Sequence, residues 1–285
     1  MSWWTDGHPC DNIEKILERG GSMEIGLLQY DVLRDREANL QKAEAFLEKN
    51  QCELLLLPEL AMGGYLFESR KALLAASEAV PEGASTKAMC ALSRARDCTI
   101  VFGLAEGEGI YNTAVVVSRG SYVGKYRKIH LSDLEKKLLD RGRENPVFEV
   151  GGLKIGVQIC FDLWFPEISR EQLRQGAEVL CVLANFGGDT TYHISRIRAI
   201  ENLTPLVLCN RVGRETIPGM EADFLGKSTA IDPSGQRVYV APAGAEDGAL
   251  CRIETGQPHA NVICRDFDRE MGLHYPDPEE TERRI

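Results

Sequence analysis

The sequence predicts an α/β fold in which strands and helices alternate within one domain. Apolar runs of strand length recur along the chain, and several are continuously apolar, which is typical of strands covered on both faces. Segments with helical spacing lie between them, so a layered arrangement is expected. The chain has 285 residues, 44% of them hydrophobic, which suffices for one large domain with a sizeable core.

Eight segments have the composition of strands. They are rich in Val, Ile and Leu and are bounded by turn residues. The predicted strands are 24–30, 52–58, 99–105, 111–117, 153–160, 178–184, 205–210 and 227–232. Turn signals in SRGSYVG (118–124) and DPSGQ (232–236) predict two hairpins. Antiparallel pairs are therefore expected beside the parallel ones.

Four segments have the spacing of helices packed on a sheet. The predicted helices are 34–49, 84–97, 166–176 and 190–202. Ser85 is the expected N-cap of the second helix, because its hydroxyl can accept a hydrogen bond from the first turn. Pro166 is expected at the first helical position of the third, where a missing N–H costs nothing.

Residues 1–22 stand apart from the predicted domain, which we place at 23–285. Asp11 and Glu14 form a capping-box pattern, and Gly20 ends the short helix that it predicts. The segment has neither the basic stretch nor the apolar stretch of a signal peptide. An N-terminal extension, a misassigned start and a cloning remnant account for it equally well.

Composition excludes several classes of partner. The formal net charge of -10 argues against nucleic acid and anionic membrane surfaces, because both would repel the average field of the protein. No segment reaches the roughly 20 apolar residues that span a bilayer. The nine cysteines form no C-x-x-C pair, which argues against a zinc ribbon and a disulfide scaffold. We expect a cytoplasmic protein with reduced thiols.

Three polar side chains stand where predicted strands end. Glu59, Lys128 and Cys160 each follow an apolar run, and side chains at carboxyl strand ends tend to meet in one crevice. A thiol of pKa ~8.5 is a weak nucleophile until a base or a cation promotes its thiolate. A carboxylate and an ammonium beside it would supply both. Taken singly, each residue has a simpler explanation as a loop acid, a solvated lysine or a core cysteine.

Three segments, in this order, resemble the signatures of the nitrilase superfamily, the carbon–nitrogen hydrolases. They are LLLLPELAMGGY (54–65), GKYRKIHL (124–131) and VQICFDLWFPE (157–167). Four shorter segments, YNTAVVV, RIRAIEN, CNRVG and GKSTAIDPSG, extend the resemblance over residues 24–270. The resemblance implies a four-layer α-β-β-α sandwich with mixed sheets, assembled into homodimers or larger oligomers.

The resemblance also implies a catalytic triad of Glu59, Lys128 and Cys160. Glu135 is the best match to a second glutamate that commonly helps to hold the site. The alternative is that Glu135 is a solvated helix carboxylate, because Lys136 and Lys137 follow it directly. The implied reaction is hydrolysis of an amide-type C–N bond through a Cys thioester, with release of ammonia and without a metal or organic cofactor.

The stretch around Cys160 fits a rigidly held nucleophile. The apolar strand before it anchors the cysteine where the strand stops. The main-chain N–H of Phe161 and the Lys128 ammonium are the expected donors to an oxyanion. Asp162 is expected to secure the turn by hydrogen bonds. His130 suggests an alternative to the triad, a Cys–His dyad. It lies two residues from Lys128, so in an extended segment both side chains would face the same side.

Residues beyond the triad bear on the substrate. Phe161 and Asp162 after the nucleophile resemble the amidase and carbamoylase branches, whereas true nitrilases tend to carry Trp–Glu. Leu163 and Trp164 stand where other branches place arginine, so the segment is most similar to enzymes acting on carbamoylated amines. Trp164 could line the pocket or stack on a cation, and plain packing explains it equally. Asn185 and Phe186 are the candidates for further substrate contact.

The expected partner is therefore a small amide or carbamoyl substrate, and other functions stay open. A glutaminase-like subunit that supplies ammonia, an ω-amidase and a nitrilase are alternatives within the same chemistry. An acyltransferase that runs the thioester in reverse and a catalytically inactive interaction protein are alternatives outside it. The other histidines show no metal-ligand spacing.

Overall fold

The computed structural model describes residues 21–107, 109–256, 264 and 267–271. The first sheet within them comprises β1 (Gly21–Gln29), β2 (Leu54–Leu56), β3 (Thr99–Glu106), β4 (Tyr111–Ser118), β5 (Ser121–Arg127) and β14 (Asp247–Thr255). Their order is β14-β1-β2-β3-β4-β5. The central pairs β1–β2 and β2–β3 are parallel, and the outer pairs are antiparallel. The helix predicted around residues 11–20 lies outside the described residues.

The second sheet also has six strands. They are β6 (Val147–Val150), β7 (Leu153–Ile159), β8 (Val179–Ala184), β9 (Leu206–Asn210), β12 (Thr229–Ile231) and β13 (Arg237–Val240), in the order β13-β12-β9-β8-β7-β6. Here too the central strands β7, β8 and β9 are parallel, while the edges pair antiparallel. A separate hairpin of β10 (Val212–Ile217) and β11 (Met220–Leu225) follows β9.

The helices in the described residues are α1 (Arg36–Lys49), α2 (Arg70–Ala76), α3 (Ala84–Ala95), α4 (Pro166–Arg174), α5 (Asp189–Asn202) and α6 (Phe267–Met271). Helices α1 and α3 cover the outer face of the first sheet, and α4 and α5 cover that of the second. One apolar cluster joins the two sheets, with Leu54 and Val116 from the first and Val157 from the second. Two further clusters pack the outer faces beneath the helices. The predicted four-layer sandwich with mixed sheets is confirmed.

Local sequence signals explain where most helices begin. Asp35 caps α1 by accepting hydrogen bonds from Glu37 N (3.0 Å) and Ala38 N (3.2 Å). Pro166 opens α4, as predicted. The predicted N-cap of α3 is wrong, because Ser85 lies inside the first turn and Gly83 is the cap. The Glu78 carboxylate accepts a hydrogen bond from Ser85 N at 2.8 Å. It thus satisfies a main-chain N–H of the first turn that a capping side chain would otherwise satisfy.

No helix in the described part of the chain combines the length and the apolar character needed to cross a bilayer.

Candidate active site

A buried lysine between two buried carboxylates forms the centre of the site. Lys128 Nζ donates to Glu59 Oε1 at 2.7 Å and to Glu135 Oε1 at 2.6 Å. None of the three residues is more than 2% exposed. An unpaired charge at this depth would be strongly unfavourable, so each ion depends on the others for its place in the interior. The structure thus brings three of the predicted catalytic residues together.

Strand ends of the first sheet supply two of these side chains, and a short helix supplies the third. Glu59 follows β2, Lys128 follows β5 directly, and Glu135 opens a short 3-10 helix over Glu135–Lys137. Gly103 of β3 permits the close packing of the Glu59 turn. A Cβ at Gly103 would lie 2.3 Å from Leu60 N, so a larger residue would push the turn away from the sheet.

Asn112 of β4 braces both carboxylates from one side. Its Nδ2 donates to Glu59 Oε1 at 2.6 Å and lies 3.4 Å from Glu135 Oε1. Ser132 N donates to the other oxygen of Glu135 at 2.8 Å. Glu135 is therefore fixed by hydrogen bonds on both oxygens and is not a solvated helix carboxylate.

Cys160 lies at the carboxyl end of β7 in a strained conformation. Its φ is +46°, in the left-handed region that non-glycine residues rarely adopt. Such a conformation costs roughly 1–3 kcal/mol and persists only where the surroundings enforce it. The Asn185 main-chain N–H hydrogen-bonds the thiol, and the charges of Glu59 and Lys128 act on it. The thiol therefore lies close enough to the Lys128 cluster for its charges to act on it.

The balance between burial and the Lys128 charge separates the pKa values of the two glutamates. Burial raises the pKa of Glu59, and the Glu135 charge adds to this rise against the opposing effect of Lys128. Burial also acts to raise the pKa of Glu135, but the Lys128 charge and hydrogen bonds hold it below its usual range. Two carboxylates whose pKa values are pushed apart can take different roles. Glu135 is suited to stay ionised, and Glu59 is suited to exchange protons.

The thiol and the ammonium are held in their neutral and charged forms respectively. Burial raises the pKa of the Cys160 thiol, and the Glu59 charge raises it further while Lys128 opposes the rise. Burial alone would lower the pKa of Lys128, but the charges of Glu135 and Glu59 raise it well above the usual range. A thiol in this state needs a base at the moment of attack.

Asp162 ties the lysine segment to the cysteine segment. This fully buried carboxylate accepts from Ile159 N at 3.2 Å and from His130 N at 2.7 Å. The predicted hydrogen bonds that secure the turn are thus present. His130 Nδ1 lies 3.1 Å from the same carboxylate, and its ring stacks on Phe165 with centroids 3.6 Å apart. These contacts favour a structural role for His130 over a Cys–His dyad.

The aromatic residues after Cys160 form a cluster near the surface. The Phe161 ring has its centroid 5.5 Å from that of Trp164 and 5.3 Å from that of Phe165. Trp164 is 43% exposed, and its Nε1 donates to Thr191 Oγ1 at 3.0 Å. The structure therefore places Trp164 at the outer edge of the site rather than beside the Lys128 cluster.

Asn185 and Phe186 lie at the end of β8, and their side chains differ in environment. Phe186 joins the apolar cluster between the second sheet and its helices, together with Ala184. Asn185 is 7% exposed, and neither of its side-chain polar atoms has a hydrogen-bond partner among the described residues. Of the two, only Asn185 offers unsatisfied polar groups close to the thiol.

Two further residues of the site were not singled out in the sequence, although both lie in quoted motifs. One is Asn112, a lone amide within an apolar strand. The other is Tyr65, whose hydroxyl bonds Ser132 and whose pKa is raised, first by burial and next by the Glu135 charge. Glu215 of β10 holds Tyr65 in place by accepting from its main-chain N–H at 2.9 Å. A polar residue inside an apolar strand is the signal that could have identified Asn112.

Known proteins with similar sequences identify the family to which the chain belongs. The family model described as carbon-nitrogen hydrolase matches residues 24–268. A nitrilase of Pyrococcus abyssi is 36% identical over 224 residues, which cover 76% of this chain and 84% of the relative. The N-carbamoylputrescine amidase of Solanum lycopersicum is 29% identical over 261 residues, which cover 82% of this chain and 86% of the relative.

The fold is shared with solved members of the same superfamily. The crystal structure of Saccharomyces cerevisiae Nit3, a member of branch 10 of the nitrilase superfamily, matches with a TM-score of 0.74 at 24% identity. The match covers 90% of this chain and 96% of that chain. With a family model that spans nearly all of the described residues, the chain belongs to the nitrilase superfamily and is a carbon–nitrogen hydrolase.

Proposed function

We propose that this enzyme is a thiol amidohydrolase that cleaves a non-peptide C–N bond of a small amide or N-carbamoyl amine and releases ammonia. The observation that carries the proposal is the Lys128 ammonium, held between Glu59 and Glu135 in the pocket of Cys160. A base, a cation and a nucleophile in one pocket are what acyl transfer from nitrogen requires.

In the proposed first step Cys160 attacks the substrate carbonyl carbon. Glu59 accepts the thiol proton as the S–C bond forms, because burial gives this carboxylate a raised pKa and hence a higher proton affinity. Lys128 and the Phe161 N–H stabilise the negative charge that develops on the carbonyl oxygen.

In the proposed second step the C–N bond breaks. Glu59 returns its proton to the leaving nitrogen, ammonia departs, and Cys160 carries a thioester. Glu59 then takes a proton from a water molecule that attacks the thioester, and the same proton restores the thiol when the acid product leaves. Glu135 and Asn112 position Lys128 and Glu59 throughout.

The pocket beyond the triad is proposed to include Asn185 near the thiol and Trp164 at its outer edge, whereas Phe186, a predicted substrate contact, packs beneath the helices instead. The seven cysteines within residues 21–107 and 109–256 are free thiols, which supports a reducing, cytoplasmic location. The 36% identical relative named nitrilase makes nitrile hydrolysis the second candidate. A panel of nitriles and amides that is assayed for ammonia separates the two.

Replacement of the nucleophile tests the proposal first. Cys160→Ala is expected to lower ammonia release by more than about 1,000-fold, because no thioester can form. Its thermal unfolding should stay close to that of the wild type, since the change removes only one sulfur at a strand end. Cys90→Ala, in α3 on the outer layer, is the matched control and should keep full activity. Wild-type turnover in Cys160→Ala would reject the assignment.

A Glu59→Gln variant is expected to accumulate an acyl adduct. The carboxamide of this variant can neither take up the thiol proton nor activate the hydrolytic water. Acylation should therefore be slow, and each thioester that does form should resist hydrolysis and accumulate. Intact-protein and peptide mass spectrometry after incubation with substrate would locate the added mass. We expect it on Cys160, and an adduct on any other cysteine would contradict the mechanism.

The pH dependence should report the raised pKa of Glu59. Activity needs this carboxylate ionised, so kcat/KM is expected to fall with decreasing pH at a midpoint above the ordinary glutamate value of 4.5. The Glu135 charge contributes to the rise, so Glu135→Gln should move this acid limb to lower pH. An acid limb that is unmoved in Glu135→Gln would show that Glu135 does not act on Glu59 electrostatically.

We also propose a homodimer formed through the helix layer of the second sheet. Trp164, Ile197 and Ile200 are 43%, 51% and 37% exposed on this side, and Val238 and Val240 of β13 add further exposed apolar surface. The segments that carry these side chains are neighbours, because Arg198 of α5 donates to Trp164 O at 3.1 Å and Arg196 of α5 donates to Gly235 O, just before β13, at 2.8 Å.

Light scattering coupled to gel filtration tests the dimer. Ile197→Glu is expected to yield a monomer, because a charge in a buried interface is strongly unfavourable. Leu74→Glu is the control, since Leu74 is similarly exposed at 50% but lies in α2 on the side of the first sheet. A wild type that elutes as a monomer would contradict the dimer.

A further inference from the structure

A basic cavity lies beside the β5 edge of the first sheet. Its volume is about 910 Å³, within the size range of small-molecule sites. Among the described residues that line it, two side chains are acidic, Asp140 and Glu144, and five are cationic, Lys125, Arg127, Lys136, Arg141 and Arg143. The chain as a whole has a formal net charge of -10, so this concentration of positive charge is local. A concave site lined mainly by one sign of charge attracts ions of the other sign, here anions.

Two of the lining charges are balanced by neighbours outside the cavity. Asp140 Oδ2 accepts a hydrogen bond from Arg70 Nη2 at 2.6 Å, and Lys136 Nζ donates to Asp133 Oδ1 at 2.7 Å. Neither pair contributes a net charge to the cavity.

A second group of charges is balanced at the β5 wall. Lys125 Nζ and Arg127 Nε both donate to the buried Glu106 carboxylate, Arg127 at 2.8 Å. One carboxylate shared by two cations leaves a single positive charge over. The Glu144 charge also acts on Arg127. These four side chains therefore balance one another.

The surplus positive charge belongs to Arg141 and Arg143. Arg141 Nη1 donates to Ile129 O at 2.9 Å, and neither guanidinium has a carboxylate partner among the described residues. The Arg143 side chain has no hydrogen bond or ion pair among them either. A guanidinium presents paired N–H groups that match the oxygens of phosphate and carboxylate. The cavity thus offers two such groups that the protein itself does not use.

The cavity and the catalytic cluster lie on opposite faces of the first sheet. Successive side chains of a strand point to opposite faces. Tyr126 of β5 packs between the two sheets, and Lys128, two residues on, reaches the catalytic carboxylates on the same side. Arg127 lies between them in sequence and therefore faces outward, where its guanidinium is 4.0 Å from the Tyr111 ring centroid. A ligand of the cavity is therefore separate from the substrate.

We propose that this cavity binds a polyanionic small molecule through the guanidinium groups of Arg141 and Arg143. The recognised chemistry is a cluster of phosphate or carboxylate oxygens, because both groups accept paired hydrogen bonds from guanidinium. The volume leaves room for a ligand larger than a single phosphate. The dimer proposed above uses the helix layer of the second sheet, so it leaves this cavity open.

The segment that carries the two arginines is attached to the chain around the catalytic lysine. Gly142 N donates to Lys128 O at 2.8 Å. A Cβ at Gly142 would lie 2.0 Å from Arg127 O, so the two segments are in close contact. An anion that holds Arg141 and Arg143 therefore stabilises this contact, and it should raise the temperature of thermal unfolding, as any ligand of the folded state does.

Isothermal titration calorimetry of the full chain tests the site with two probes, inorganic pyrophosphate and citrate, at equal low ionic strength. We expect saturable binding, and the tighter probe identifies phosphate or carboxylate as the preferred group. Arg143→Gln is expected to weaken this binding by about 10-fold, because it removes one charge-assisted donor group. Arg252→Gln is the matched control. It removes the same charge from an exposed side chain of β14, at the opposite edge of the same sheet, and should change the affinity by less than about 2-fold.

Three results would overturn the inference. They are the absence of saturable binding of either probe, an equal loss of affinity in Arg143→Gln and Arg252→Gln, and competitive inhibition of ammonia release by the anion that binds. The last would place the anion in the catalytic pocket. Arg143 makes no contact that the fold requires, so its variant should unfold at the wild-type temperature without ligand. The binding assay uses no substrate, and Cys160→Ala should bind the anion with wild-type affinity. The inference and the proposed function can therefore fail independently.

Discussion

The site depends on one buried charge network, the Lys128 ammonium held by Glu59 and Glu135. The hydrogen bonds of 2.7 and 2.6 Å neutralise a cation that would otherwise be too costly to bury. The two carboxylates are nevertheless unequal, because Glu135 also accepts a hydrogen bond from Ser132 N, whereas Glu59 Oε2 has no partner among the described residues. The network therefore stabilises its own burial and leaves Glu59 with a raised pKa, which is why we propose Glu59 as the carboxylate that exchanges protons.

The rest of the fold brings this network to the nucleophile. The first sheet carries Glu59 and Lys128 at strand ends, and the second sheet carries Cys160 at the end of β7. The apolar cluster between the sheets fixes the distance from one to the other. Asp162 links the two segments directly, through its hydrogen bonds to the main chain at Ile159 and His130. Small displacements of either sheet would therefore reach the reacting atoms.

Sequence patterns predicted the strands that are buried on both faces and, through two hairpin turns, the edge strands β5 and β13, but missed the edge strands β6 and β14. Central strands such as β8 are continuously apolar, and their burial is what makes them recognisable. β14 alternates charged and apolar residues because one face is solvated, and α2 is only 7 residues long, so neither gave a clear signal. In the site, residues at strand ends were predicted from position, but Glu135 required the family resemblance. The sequence alone could not show that the Asn185 carboxamide lacks hydrogen-bond partners among the described residues, because this depends on the packing around it.

The most direct test of this account is a pH titration of the glutamate carboxyl groups by ¹³C NMR, with Glu59 and Glu135 assigned from their Gln variants. We expect Glu135 to stay ionised below the ordinary glutamate value of 4.5 and Glu59 to take up a proton above it. If both carboxyl groups remained ionised below that value, Lys128 would be stabilising them equally. Glu59 would then have no raised proton affinity, and its role as the shuttling base would be contradicted.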